Sequence, residues 1–310
     1  MIHALAWAGA RARWVLALGV LAALVIPGPG SLLEGTIPFW VAFLFGLAMM
    51  RIDLVGVARQ ALAPRRLARN TALAAGLMCA TPALFWALGT GLGLPEQHVA
   101  ALVYTSAAPP LGSGAAFCLM VGFNAAFAIE LTVFCSALAP LTLPLMAQLL
   151  LGGAVPIDTG EMAIRLAFLI GLASAGALAA RFILGDQWIK KRALSLDGLS
   201  SVILVLFLFP LFDGLTTQIV SAPIFALGVL ALAIAANLGV QVVLFPLTRR
   251  IAGFATGGAT ALIWGNRNAA LALASLPPDP VLWLYVALYQ FPMYFTPLVM
   301  SRIAGPPPET

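Results

Sequence analysis

Apolar residues run along this chain in long blocks separated by short polar connections. The blocks fall at 14–26, 37–50, 70–92, 99–121, 125–150, 162–184, 199–212, 222–247, 251–276 and 281–303. A helix needs about 20 apolar residues to cross the hydrocarbon core of a bilayer, and somewhat fewer can suffice. The pattern therefore predicts ten transmembrane helices. The first, second and seventh blocks are short, and their helices are expected to extend into the flanks. Arg11 and Arg13 precede the first block, as they would in a secretory signal. That block instead runs into Pro27-Gly28-Pro29-Gly30 with no small-x-small cleavage site, so it reads as a span.

Composition agrees with the pattern. Charged residues make up 9% and hydrophobic residues 62%, whereas a soluble domain carries about 25% charged residues. Such a chain folded in water would expose large apolar surfaces, so the bilayer is its expected solvent and partner. A net charge of +5 raises the question of nucleic acid. The basic residues sit in short connections between apolar blocks, where they act as topology signals, and no nucleic-acid partner is predicted. With the N-terminus in the cytoplasm, fourteen of the 16 basic residues fall on the cytoplasmic side, the exceptions being Arg165 and Arg267. The outer connections carry acids instead: Glu34, Glu96, Asp158, Asp213 and Asp279. The distribution predicts a multi-pass inner-membrane protein with both termini cytoplasmic. Cys79, Cys118 and Cys135 all lie inside apolar blocks, and His3 and His98 are far apart. Neither a disulfide framework, a metal site nor a cofactor is predicted.

The chain shows signs of an internal repeat. At a shift of 153 positions Gly112 meets Gly265, Ala116 meets Ala269, Pro144 meets Pro297 and Leu145 meets Leu298. Halves of 1–151 and 152–310 would each hold five spans. An odd number makes them inverted repeats, an architecture of secondary transporters in which substrate sits beside interrupted helices. Two blocks are interrupted. The fourth contains Pro109-Pro110-Leu111-Gly112-Ser113-Gly114, and the ninth contains Trp264-Gly265-Asn266-Arg267-Asn268. Prolines remove backbone donors, and glycines allow turns that a helix forbids. Unpaired backbone in lipid costs several kcal/mol per group, so such breaks need protein or a water-filled cavity around them. Either break alone reads equally as a simple kink, since proline and glycine are common in membrane helices; at corresponding positions of the two halves they are expected to cross and form a site.

At these segments the sequence resembles the bile acid:sodium symporter family, within the wider group of auxin carriers and arsenite exporters. The resembling stretches are Phe45-Gly46-Leu47-Ala48-Met49, Pro82, positions 109–144, and Arg267-Asn268-Ala269-Ala270-Leu271-Ala272. The resemblance implies a panel of helices 1, 2, 6 and 7 moving against a core of helices 3–5 and 8–10, with broken helices 4 and 9 crossing in the core. It departs from the family where sodium binds. The family's oxygen-bearing positions fall here on Gly114, Ala115, Ala128, Leu77 and Ile263, and the glutamine of its Gln-Asn pair falls on Arg267, while Thr132 and Asn268 are kept. The resemblance thus implies the fold and leaves little side-chain oxygen for sodium coupling.

Arg267 is the sharpest candidate for chemistry. An ionisable residue deep in a span faces the bundle interior or a cavity, unless the span is displaced and the side chain snorkels to an interface. Glu130 is the one acid inside a predicted span. It is a candidate to pair with Arg267 or carry a proton, or it serves the positive end of its own helix. It lies about 200° around the helix from Thr132, so the two face apart if Thr132 faces the crossing. Asn266, Asn268 and Ser113, with Gly112 and Gly114, either line a cavity or satisfy the freed backbone. Arg165 follows Glu161 by four residues and is expected to pair with it. The basic run 59–69 reads as a topology determinant, with headgroup binding as a lesser role. The cluster Gly89-Thr90-Gly91-Leu92-Gly93 lacks the lysine of a phosphate-binding loop. No nucleophile–base set suggests an enzyme.

These readings predict a secondary active transporter of a small organic anion, such as a carboxylate, attracted by Arg267 and the half-helix ends. The alternatives are a sodium-dependent symporter with backbone ligands, or a receptor or assembly protein on the same fold.

Overall fold

The computed structural model describes residues 2–26, 36–152, 158–276 and 279–306. Glu34, the 27–30 run and the side chain of Arg13 lie outside the described residues. In chain order the helices are α1 (Ile2–Ala10), α2 (Ala12–Val25), α3 (Ile37–Met50), α4 (Leu54–Ala61), α5 (Pro64–Ala75), α6 (Thr81–Gly91), α7 (Glu96–Ala107), α8 (Gly114–Val121) and α9 (Ala125–Leu151). They continue with α10 (Thr159–Leu184), α11 (Asp186–Lys191), α12 (Ala193–Leu211), α13 (Leu215–Ser221), α14 (Pro223–Ile234), α15 (Val240–Gly265), α16 (Ala269–Ser275) and α17 (Pro280–Ala304). Two π-helical turns, Gly76–Ala80 and Ala235–Gly239, join α5 to α6 and α14 to α15. Besides helices and turns the described residues contain one isolated β-bridge.

Five helical stretches among the described residues are long and apolar enough to cross a bilayer, and seven if α1 with α2 and α3 with α4 each count as one bent span. The protein is an all-helical membrane protein. One of these stretches, Pro223–Gly265, is 43 residues long, more than twice what a single crossing needs. It turns at Gly253, whose φ of 76° is left-handed. The Thr248 hydroxyl donates across this turn to the Gly257 carbonyl at 2.8 Å. The turn falls two residues after the expected start of the ninth block. The third block also differs from expectation. Its helix begins at Pro64, a residue suited to the first helical position. Arg65, Arg66 and Arg69 therefore stand in the opening turns of a helix and not in a loop.

The chain divides into two compact units. Unit 1 comprises Met1–Asp53 and Leu169–Gly228. Within it α1 packs against α12 at two facing glycines: a Cβ on Gly9 would meet the Leu194 carbonyl oxygen, and one on Gly198 that of Leu5. Arg51 pairs with Asp197, and Arg181 with Asp186 at 2.8 Å. A cavity of about 810 Å³ between α3 and α10 is lined by Phe39, Trp40, Phe43, Leu172 and small residues such as Gly176. Its walls are apolar apart from Thr36, so it suits hydrocarbon and offers nothing to orient a polar solute.

Unit 2 comprises Leu54–Phe168 and Val229–Thr310. Its interior is packed by Leu77, Met78, Phe117, Leu131, Leu143, Tyr285, Tyr289 and Tyr294, all fully buried. Arg165 pairs with Glu161, as their spacing predicts. Both interrupted segments lie in this unit.

Candidate functional site

The first break follows from its prolines. Ala108, ahead of Pro109, is extended (φ −62°, ψ 150°), because a proline disfavours helical backbone in the residue before it. The chain re-enters a helix at Gly114. The second break opens at Gly265 and Asn266, the latter also extended (φ −94°, ψ 96°). It closes at Asn268, whose side chain accepts from the Leu271 amide at 3.3 Å and caps α16. Asparagine is among the best residues for this position.

The two breaks meet. Leu111 donates its amide to the Asn266 carbonyl at 2.9 Å, and Asn268 donates to the Pro109 carbonyl at 2.8 Å. This pair of bonds is the isolated antiparallel bridge between Pro110 and Arg267. Each interruption thus supplies partners for backbone groups that the other has freed.

Arg267 holds this crossing from inside. It is only 3% exposed. Its Nε donates to the Trp264 carbonyl at 2.8 Å, Nη1 to that of Ala108 at 3.3 Å and Nη2 to that of Leu77 at 2.9 Å. One side chain therefore ties both breaks to the first π turn. A guanidinium has five N–H donors, so one hydrogen on each terminal nitrogen is left over. Among the described residues Arg267 has no ion pair, and its charge is balanced by carbonyl dipoles alone. Burying an unpaired ion costs several kcal/mol. Hydrogen bonds to charged groups return about 1.5–3 kcal/mol each, so three carbonyls offset a cost of that order.

The π turns are the second component. A π turn leaves helical hydrogen bonding out of register and frees backbone groups. At the first, the Thr81 hydroxyl donates to the Gly76 carbonyl at 2.8 Å and accepts from the Trp264 indole at 2.9 Å. At the second, the Asn237 amide group donates to the Gly265 carbonyl at 2.9 Å and lies 3.2 Å from Asn266 Oδ1. Gln241 donates to Asn237 Oδ1 at 2.9 Å and to the Thr296 hydroxyl at 3.2 Å. Tyr289 donates its hydroxyl to the Gly265 carbonyl and accepts from the Arg267 amide at 3.1 Å. Asn237, Gln241, Thr296 and Tyr289 escaped the sequence reading. Asn237 and Gln241, four residues apart in an apolar block, were the available signal.

The remaining candidates separate. Asn266 is fully buried and donates to the Leu262 carbonyl at 2.8 Å, so it satisfies freed backbone. Ser113 precedes α8 without capping it, and its hydroxyl is buried without a partner among the described residues. The hydroxyls of Thr132 and Ser136, one turn apart on α9, share that condition. Cys135, next to Ser136 in the chain, is fully buried. Gly112 lies in the turn before α8, and Gly114 is its first residue, facing Ile263.

Glu130 does not pair with Arg267. Its carboxylate accepts from Arg69 at 2.5 Å, Arg66 at 3.0 Å and the Asn70 amide group at 2.8 Å. The physical reason is its helical phase. Position 130 points away from the face that carries Thr132 and toward the start of α5.

No family model matches the chain, and no curated protein matches it.

Proposed function

We propose that this protein is a secondary active transporter of a small organic anion, working by alternating access without sodium coupling. The observation that carries the reading is Arg267, a buried cation without an ion pair among the described residues, placed where two broken helices meet. Discontinuous helices at a shared point are the hallmark of transporter sites. A guanidinium with two unused hydrogens is matched to an acceptor-only group such as a carboxylate. At 3% exposure Arg267 is closed to solutes, so anion binding requires the surrounding helices to part. The division into two compact units supports a panel and a core able to move. Interrupted helices and π turns at matching places support two inverted repeats within a ten-span fold.

The carbonyls of Leu77, Ala108 and Trp264 bear on the sodium-dependent alternative. A sodium ion lacking side-chain ligands would need backbone oxygens at the crossing, and Arg267 already occupies these three. A fixed guanidinium thus takes the part of an exchangeable cation.

The test is uptake of labelled small organic acids into proteoliposomes, in sodium and in choline buffer at one pH and ionic strength. Uptake of an acid at equal rates in both buffers, lost in Arg267→Ala, is expected. A strict sodium requirement with Arg267→Ala nearly as active as the parent would refute the reading. No uptake of any acid by protein that unfolds cooperatively would favour a receptor or assembly role.

A further inference from the structure

The partners of Glu130 describe a second site, on the face of α9 that meets the start of α5. Glu130 is 7% exposed, yet the two arginines it holds are not buried: their side chains are 46% and 43% exposed for Arg66 and Arg69. Both guanidinium groups converge on one carboxylate, Arg66 on Oε2 and Arg69 on Oε1, and so sit side by side. Arg69 is further fixed by Nε and Nη2 on Asn70 Oδ1 at 3.2 and 3.1 Å, and it stacks over Phe127 with 5.2 Å to the ring centre. Arg66 also donates to Gln60 Oε1 at 3.0 Å.

These bonds leave hydrogens pointing elsewhere. Nε and Nη2 of Arg66 and Nη1 of Arg69 make no hydrogen bond among the described residues. The cluster carries two positive charges against one negative, and the exposed Arg59 and Arg65 add to the excess. Two arginines in the opening turn of α5, with no acid there, also repel the positive helix end. Exposed apolar residues stand on α4, on α5 and in the link between them: Val55, Leu67 and Leu62. A preorganised cationic pair flanked by exposed apolar side chains matches a ligand with a phosphate at one end and hydrocarbon at the other.

We propose that Arg66 and Arg69, oriented by Glu130 and Asn70, form a headgroup site for an anionic phospholipid. The phosphodiester accepts from the outward hydrogens of the two forks, and the acyl chains lie along the exposed face of α4 and α5. Glu130 is then the buried anchor of a lipid site and has no part in the transport pathway. Juxtamembrane basic clusters attract anionic lipid in general. What this cluster adds is fixed geometry, which predicts that charge alone will not suffice.

The experiment uses the purified chain in a neutral detergent, with thermal unfolding followed as phosphatidylglycerol, phosphatidylcholine or inorganic phosphate is added. Phosphatidylglycerol is expected to raise the midpoint, and the other two are not. In Arg66→Gln/Arg69→Gln the apparent affinity is expected to fall at least about tenfold, the loss of one or more charge-assisted hydrogen bonds. Arg66→Lys/Arg69→Lys keeps the charge, folds with less disturbance and is expected to lose most of the effect as well. Arg302→Gln, an exposed basic position outside the cluster, should behave as the parent. Equal response to inorganic phosphate would make this a free-anion site and overturn the lipid assignment. So would an undiminished phosphatidylglycerol response in the lysine pair, or an equal response to phosphatidylcholine. None of these outcomes depends on uptake.

Discussion

At Arg267 the side chain does what a lysine cannot. Its three nitrogens reach carbonyls on three segments, at Leu77, Ala108 and Trp264, while an ammonium concentrates its donors on one atom. Arg267→Lys is therefore expected to keep the charge, loosen the crossing and lower the unfolding midpoint in detergent by several degrees. Arg267→Ala orphans buried carbonyls at about 1–3 kcal/mol each, and its midpoint should fall further. A midpoint unchanged in both variants would show that the crossing does not depend on the guanidinium. Glu130 separates stability from transport in the opposite sense. Glu130→Gln removes the charge that holds Arg66 and Arg69. The cost is about 1–2 kcal/mol, kept small because both arginines are nearly half in solvent. Sodium-free uptake should survive in that variant with its pH profile unchanged. A flattened profile would return Glu130 to the transport pathway as a proton carrier.

Among the elements, the π turns are the least replaceable parts of the site, because each brings a backbone close to a break. Gly265 shows how close. A Cβ there would stand 2.3 Å from the Asn237 carbonyl oxygen and 2.6 Å from the Gln241 side chain. Gly265→Ala must push the second π turn away from the break. Overpacking of this kind typically costs about 1–3 kcal/mol, and because the obstacle is backbone the upper part of that range is expected. Gly114→Ala is the matched control: its Cβ would meet only Ile263, at an ordinary 3.5 Å. Chemical unfolding of both variants in detergent checks the contrast, and equal losses would deny the close approach. The breaks themselves were legible in the sequence, since paired prolines and a polar stretch interrupt apolar blocks at corresponding places of the two halves. The π turns were not. Gly76–Ala80 and Ala235–Gly239 read as ordinary apolar helix, because an inserted residue leaves composition unchanged and shifts only the hydrogen-bond register. The partners of Glu130 were hidden by a boundary error. A third helix starting at Asn70 leaves Arg66 and Arg69 in a loop, whereas Pro64 starts it six residues earlier and aims both at α9. Helical phase still separated Glu130 from Thr132 correctly, since that angle depends on sequence spacing alone.

For the molecule as a whole, the distribution of charge predicts how the chain is threaded through the membrane. Arg51, Arg65, Arg181, Lys190 and Arg249 all adjoin ends of apolar stretches that an alternating path brings to one side, and Glu96, Asp158, Asp213 and Asp279 adjoin the other ends. The Arg51–Asp197 and Arg181–Asp186 pairs, both in unit 1, leave the count of basic residues on that side intact, and the rule follows lysine and arginine more than net charge. The predicted orientation puts the basic side in the cytoplasm. It also gives the headgroup site its setting, because the cytoplasmic leaflet carries a negative surface potential. Single cysteines at positions 65 and 158, in a background where Cys79, Cys118 and Cys135 are replaced by serine or alanine, can be probed with a membrane-impermeant maleimide on intact cells. Position 158 should label from outside, and position 65 only after the cells are opened. Retained uptake or an unchanged unfolding midpoint in the cysteine-free background shows that the fold survived. Labelling at 65 from outside, with 158 protected, would invert the threading. It would also place Arg66 and Arg69 on the outer leaflet and remove the electrostatic setting for the lipid site, whereas the crossing, held by internal hydrogen bonds, would be unaffected.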